Sequence, residues 1–190
     1  MRGVDGPMEP AVPTLTLVCG PMFAGKTTEL IRRVECARAG GRRVLVAKPV
    51  RDVRYAPDAV VTHAGSRELA VAVHDLRELA PRAVGHDLVA IDELHFFADG
   101  AVAPIEGLLA AGTSVVAAGC DIDHFGDVFA PFDSLLPRAH EVCRISGTCA
   151  RCGGPSTHSE RLTPLRERIV VGGIGDFVAT CARCFRPSTR

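Results

Sequence analysis

The 190-residue sequence predicts an α/β fold of P-loop NTPase-like type, a parallel sheet flanked by helices, followed by a small C-terminal zinc-ribbon module. Three observations carry that prediction. Short Val/Leu/Ala runs alternate with helix-compatible stretches from Leu15 onward, a phosphate-loop motif opens the series, and two C-x-x-C pairs close it. Apolar runs without polar alternation belong to strands buried on both faces, as in a parallel sheet between helices. The length allows one sizeable core with a modest appendage.

Residues 1–13 hold three prolines, two glycines and no periodicity, which predicts a disordered extension. Leu15–Cys19 reads as the first strand, and Gly20–Thr27 follows it at once as G-P-M-F-A-G-K-T. In such a loop Gly20, Pro21, Met22, Phe23, Ala24 and Gly25 curl the backbone so that N–H groups point at one phosphate chain. Lys26 reaches the β and γ phosphates of a nucleoside triphosphate, and Thr27 offers its hydroxyl to Mg²⁺. Thr28–Val34 reads as the helix whose N-terminal dipole faces the anion. A chance eight-residue match is the alternative, and the strand before and helix after speak against it. Further on, strands are predicted at Arg43–Lys48, Asp87–Asp92 and Ser114–Ala118, with helices at Leu76–Val84 and Val102–Ala111. Beyond about Cys143 the pattern turns to cysteines, glycines and short β-like pieces. The division is therefore a core domain at 14–143 and a second module at 144–190.

The run Leu88-Val89-Ala90-Ile91-Asp92-Glu93 puts an acidic pair at the end of a strand. Beside a phosphate loop, Asp92 suits Mg²⁺ directly or through water. Consecutive strand residues face opposite ways, which frees Glu93 to act as a general base on a substrate hydroxyl or on water. An ordinary acidic strand terminus is the plain alternative, weakened by the phosphate loop upstream.

Cys149, Cys152, Cys181 and Cys184 form two C-x-x-C pairs, the ligand set of a closed structural Zn²⁺ site. Redox pairs normally stand alone near a βαβ unit, and disulfide scaffolds belong to short secreted chains. The other four of the eight cysteines, Cys19, Cys36, Cys120 and Cys143, read as small buried side chains. Lys plus Arg equals Asp plus Glu at 22 each, so no net field draws nucleic acid or an anionic membrane. No apolar run reaches the ~20 residues of a membrane span and no secretory signal opens the chain, so a cytoplasmic location is expected. Small ligands are the expected partners.

Taken together, G-P-M-F-A-G-K-T-T-E-L, Asp52-Val53-Arg54-Tyr55, Ile91-Asp92-Glu93-Leu94-His95-Phe96-Phe97, the paired C-x-x-C motifs and Val171-Gly172-Gly173 closely resemble the zinc-containing, cytosolic type of thymidine kinase. The resemblance covers Leu15 to Phe185. It implies transfer of the γ-phosphate of Mg·ATP to the 5′-hydroxyl of thymidine or deoxyuridine in nucleotide salvage for DNA synthesis, a homotetramer, and feedback inhibition by dTTP. By position, Glu93 resembles the catalytic base and Arg54 the residue that steadies the transferring phosphate, a loop ion pair being the equal alternative for Arg54. Met22, Phe96 and Phe129 resemble the lining around the thymine base, though Met and Phe are as readily plain core.

Twenty-eight residues separate Cys152 from Cys181, more than the ~15–20 of a compact four-cysteine ribbon. Within them Val171, Gly172, Gly173 and Ile174 match the family's nucleoside-binding lasso, with Phe177 at the position of a tyrosine; a surface hairpin with a Gly turn is the alternative. Other departures are His95 for the usual Gln, His124 where an aromatic is usual, and Ala64 for an acidic residue after His63. A P-loop NTP-hydrolysing switch whose zinc ribbon docks a protein or nucleic acid is the second hypothesis. Nucleoside-dependent ADP release separates the two.

Overall fold

The structure is a computed structural model that describes residues 12–52, 59–61, 67–164, 167–169, 172–173 and 175–189. Its centre is a six-stranded sheet made of β1 (Leu15–Cys19), β2 (Val44–Pro49), β5 (Val71–Val73), β6 (Leu88–Ile91), β7 (Ser114–Gly119) and β8 (Glu141–Arg144), in the order β5-β2-β6-β7-β1-β8. Every pairing in it is parallel. β3 (Ala59–Val61) and β4 (Arg67–Leu69) form a separate antiparallel ribbon, and β9 (His158–Arg161) pairs with β10 (Phe177–Thr180) in another. Helix α1 (Lys26–Ala39) follows the phosphate loop, and α2 (Leu79–Arg82), α3 (Val102–Ala110) and α4 (Phe132–Leu135) are the other α-helices among the described residues. No helix among the described residues is long and apolar enough to cross a membrane.

Strand alternation splits the core into two layers. Leu15, Leu17 and Cys19 of β1 join Val89, Ile91, Val115 and Ala117 in one layer, which α3, Leu76, Leu79, Phe132 and Leu135 cover. Val18 points the other way with Val46, Ala90, Val116 and Ala118, under Leu30, Ile31 and Val34 of α1. Both faces are dry, which is why β1, β6 and β7 are predominantly apolar, with Thr16 and Ser114 the polar exceptions.

Two segments depart from the sequence expectation. The helix expected at Leu76–Val84 is a 3₁₀ turn at Leu76–Glu78 that runs into α2 and stops at Arg82. Pro81 lacks the N–H that an α-helix would donate to the Arg77 carbonyl, so the start of the run stays tight. Asp75 nevertheless caps it in a capping box with Glu78. The second departure is β8, an edge strand of the central sheet where the sequence predicted none. Its mostly exposed residues carry no apolar run. The extension expected at residues 1–13 falls mainly on residues 1–11, outside the described ones.

Candidate active site

The phosphate loop leaves β1 at Gly20, whose φ is +152°; a Cβ there would stand 2.1 Å from the Ile145 carbonyl oxygen, so only glycine fits. Ile145 N donates to Cys19 O at 2.8 Å, which fixes the segment after β8 against the loop. Gly25, at φ +93°, is the N-cap of α1. Lys26 is buried and its Nζ donates to Pro21 O at 2.7 Å, folding the side chain back across the loop. Burial works against its ammonium, and Cys120, Glu93 and Asp92 more than offset that, so its pKa is raised. The loop is also tied to the cysteine module, because Met22 N donates to Ser159 Oγ at 2.8 Å.

Asp92 and Glu93 follow β6, which is separated from β1 by β7. The strand ends at Ile91, and the two carboxylates are set apart by a backbone turn rather than by strand alternation: Glu93 has φ +52° and ψ +44°. Such a left-handed conformation is uncommon for a residue with a side chain and clusters at functional sites. Asp92 Oδ2 accepts from Thr27 Oγ1 at 3.1 Å and Oδ1 from Glu93 N at 3.0 Å. Burial first, then Glu93, pushes the Asp92 carboxyl up to about 7. Thr27 and Asp92 together offer the oxygen donors that suit Mg²⁺. Glu93 Oε2 lies 3.5 Å from His95 Nδ1, and the His95 ring packs on Phe96 and Phe129 with centroids 4.5 and 5.2 Å away.

Next to this pair lies a pocket that is partly open to solvent. Met22 of the phosphate loop, His95, Cys120, Phe129, Ser159 and Phe177 are on its wall, as are Ile122, Asp123, His124, Arg168 and Ile169. Asp123 Oδ2 accepts from Arg168 Nε at 2.6 Å, and the Arg168 guanidinium stands over the Phe129 ring at 5.5 Å. Burial lowers the His124 pKa, so its imidazole is neutral at pH 7.

The four cysteines Cys149, Cys152, Cys181 and Cys184 bring their sulfurs within 4.8 Å of one another, and none is in a disulfide. Cys152 Sγ and Cys181 Sγ are 3.6 Å apart, close to the ~3.8 Å edge that a tetrahedron of ~2.3 Å Zn–S bonds requires. Backbone N–H groups, first from Cys181, hold the Cys149 thiol down at about 6, favouring the thiolate that binds metal. Arg151 pairs with the buried Glu160 of β9 and donates to Cys184 O at 2.5 Å, bracing the cluster against the hairpin.

Of the residues expected from sequence, Met22, Phe129 and Phe177 are on the pocket wall, and Lys26, Thr27, Asp92 and Glu93 meet beside it. Phe96 stands behind the wall, against His95. Gly172 packs on the Phe177 ring, and Gly173 N donates to Asp176 Oδ2 at 3.0 Å. Arg54, Val171 and Ile174 lie outside the described residues, as do Val53, Tyr55, His63 and Ala64. Sequence reasoning missed Ser159, Asp123 and Arg168 and left Cys120 as a plain buried thiol; no local pattern marks them. His95 and His124 were visible only as departures from a family pattern.

Comparison with known proteins matches residues 13–185 to the family model described as thymidine kinase. The chain is similar to "Thymidine kinase" of Rhodothermus sp., 36% identical over 188 residues that cover 95% of this chain and 88% of that one. It is also similar to "Thymidine kinase" of Chloroflexus aurantiacus, at 34% identity over 92% of this chain and 95% of the relative, and to that of Deinococcus deserti, at 36% over 88% and 91%.

Proposed function

The chain belongs to the thymidine kinase family, and from that premise we propose that it transfers the γ-phosphate of ATP to the 5′-hydroxyl of thymidine or deoxyuridine. One observation carries the reading: Met22 belongs both to the phosphate loop and to the pocket wall, and Cys120 of that wall borders Lys26. A triphosphate on the loop and a nucleoside in the pocket therefore meet where Asp92 and Glu93 stand.

The residues have separable jobs. Gly20–Gly25 present backbone N–H groups to the phosphates, and Lys26 meets the β and γ phosphates with a charge that burial keeps unscreened. Thr27 and Asp92 would hold Mg²⁺, which when bound neutralises charge on the phosphate oxygens. Glu93 takes the proton of the 5′-hydroxyl as that oxygen moves in line. Met22, Phe96, Phe129 and Phe177 supply the apolar and aromatic surroundings of the base, and Val171, Gly172, Gly173 and Ile174 the backbone along its edge. Arg54 steadies the transferring phosphate.

Residues 144–190 act as a zinc-stapled arm over the nucleoside, with Cys149, Cys152, Cys181 and Cys184 as the Zn²⁺ ligands. Residues 14–143 supply the phosphate machinery and 1–13 an extension. The family resemblance also supports a homotetramer, feedback by dTTP and a cytoplasmic location. The test is ADP release from Mg·ATP across a panel of nucleosides. Release should require thymidine or deoxyuridine; equal release with no nucleoside would replace a kinase by an NTP-hydrolysing switch.

A further inference from the structure

The phosphate loop contains a backbone turn that its own sequence does not favour. Ala24 N donates to Pro21 O at 3.4 Å, which closes the turn over Met22 and Phe23, and Phe23 sits in it at φ +63°. Turns that need a positive φ at this position take glycine or asparagine. A phenylalanine there is strained and persists only where its surroundings over-determine it. Within the loop, Lys26 Nζ donates to the same Pro21 carbonyl at 2.7 Å. From outside, the cysteine module reaches the turn by two routes. A Cβ on Gly147 would stand 3.4 Å from Ala24 Cα and 3.6 Å from Phe23 O, and Gly147 is bound in turn to Ser156, its N donating to Ser156 Oγ at 3.0 Å and its carbonyl accepting from Ser156 N at 2.9 Å. The other route is direct: Met22 N donates to Ser159 Oγ at 2.8 Å, one residue before the strained position. A backbone amide only donates, which fixes the direction of this bond. Ser159 is 4% exposed and is held in β9 by its pairing with Ala179 of β10, the strand that leads into Cys181 of the four-cysteine cluster.

We infer that Ser159 is a positioning residue of the nucleotide site: by accepting the Met22 N–H it holds the strained turn at Phe23, so the affinity of the phosphate loop for a triphosphate depends on a residue of the cysteine module. The inference rests on reading Gly20–Thr27 as the triphosphate site. It goes further by taking the Met22 N–H out of the donors that meet the phosphates and making it an anchor. It also gives residues 144–190 a task on the ATP side of the reaction, besides the one over the nucleoside. A loop whose turn is already set spends little binding energy on ordering, whereas a loop released from Ser159 has to be ordered by its ligand.

Two substitutions separate this role from a general structural one. Threonine and valine have nearly the same shape and both suit a strand, but only threonine keeps an oxygen for Met22. The readout is the Kd for Mg·AMP-PNP from calorimetric titration without nucleoside, so the altered pocket wall plays no part in it. We expect Ser159→Thr to bind within about twofold of the parent and Ser159→Val to bind about three- to tenfold more weakly. Added bulk alone would move both variants alike. Parent-like affinity in Ser159→Val, or an equal loss in both variants, overturns the inference while leaving the nucleotide site in place.

The unaltered protein gives a second measurement that does not depend on variants folding. Amide hydrogen exchange on the ¹⁵N-labelled parent should find the Met22 N–H protected before any nucleotide is added. A Met22 amide that exchanges as fast as in an unstructured peptide, or that gains protection only with Mg·AMP-PNP, overturns the inference. A parent that binds no Mg·AMP-PNP overturns the reading of the phosphate loop and this inference with it.

Discussion

Replacing Asp92 by asparagine should make the nucleotide-free protein more stable while disabling it. Asp92 is 4% exposed, and its carboxyl rises from 3.8 to about 7 because burial and the neighbouring Glu93 both oppose its charge. A rise of about three pH units is worth ~4 kcal/mol at most. Asparagine recovers only part of this, since it is also desolvated and weakens the bonds now accepted from Thr27 Oγ1 and Glu93 N. A gain of ~1–3 kcal/mol is expected at pH 8, or about 3–9 °C in Tm for a chain of this size. The sign follows from linkage: a carboxyl raised in the folded state favours folding below its unfolded pKa of ~3.9, and that contribution is lost as pH rises through the folded value. The gap between variant and parent should therefore be small at pH 5 and wide at pH 8. Calorimetric melting at the two pH values reads it directly, and added Mg·ATP should raise the Tm of the parent more than that of Asp92→Asn. If the variant melts below the parent at pH 8, or by the same margin at both pH values, the buried charge is not the liability described.

Glu93→Gln keeps shape and hydrogen bonding but removes the proton acceptor, so thymidine phosphorylation should fall by roughly 10²–10⁴-fold with ATP binding intact; turnover near the parent rate would move the base elsewhere. Gly20→Ala puts a methyl group 2.1 Å from the Ile145 carbonyl oxygen. Urea unfolding should show a loss of ~3 kcal/mol or more and nucleotide titration a weaker site, whereas parent-like stability would contradict the close approach. Metal analysis should find one Zn²⁺ per chain, and thymidine should protect the Arg161 to Phe177 stretch from protease only while zinc is bound; equal cutting with and without thymidine in zinc-loaded, active protein would place the nucleoside elsewhere.

What the sequence made legible follows from burial and contiguity. β1, β6 and β7 are buried along their whole length, so each left an apolar run that could be read without structure. β8 and β4 are largely exposed and β5 is three residues long, so none of them left a signal. The 3₁₀ turn at Leu76–Glu78 kept a helical spacing of leucines, which is why that stretch reads as a longer helix than Pro81 permits. The phosphate loop and the cysteine pairs are local motifs and were readable as such. The pocket is assembled from segments as distant as Met22, His95, Phe129 and Phe177, and the Asp123–Arg168 pair in it joins residues 45 apart. No window of sequence contains that information.

The position of β1 in the sheet sets a timetable for the molecule. Its two neighbours are β7, through pairs such as Leu15 with Val115, and β8, through pairs such as Thr16 with Glu141, so its partners arrive 100 and 125 residues later. The phosphate loop is made before either of these partner strands, so the bonds from Ile145 N to Cys19 O and from Met22 N to Ser159 Oγ form only later in synthesis. Pairings of such separation close late and slowly. A nascent chain therefore carries a complete phosphate-loop sequence for more than a hundred residues before the two bonds that tie its start to β8 and β9 can close.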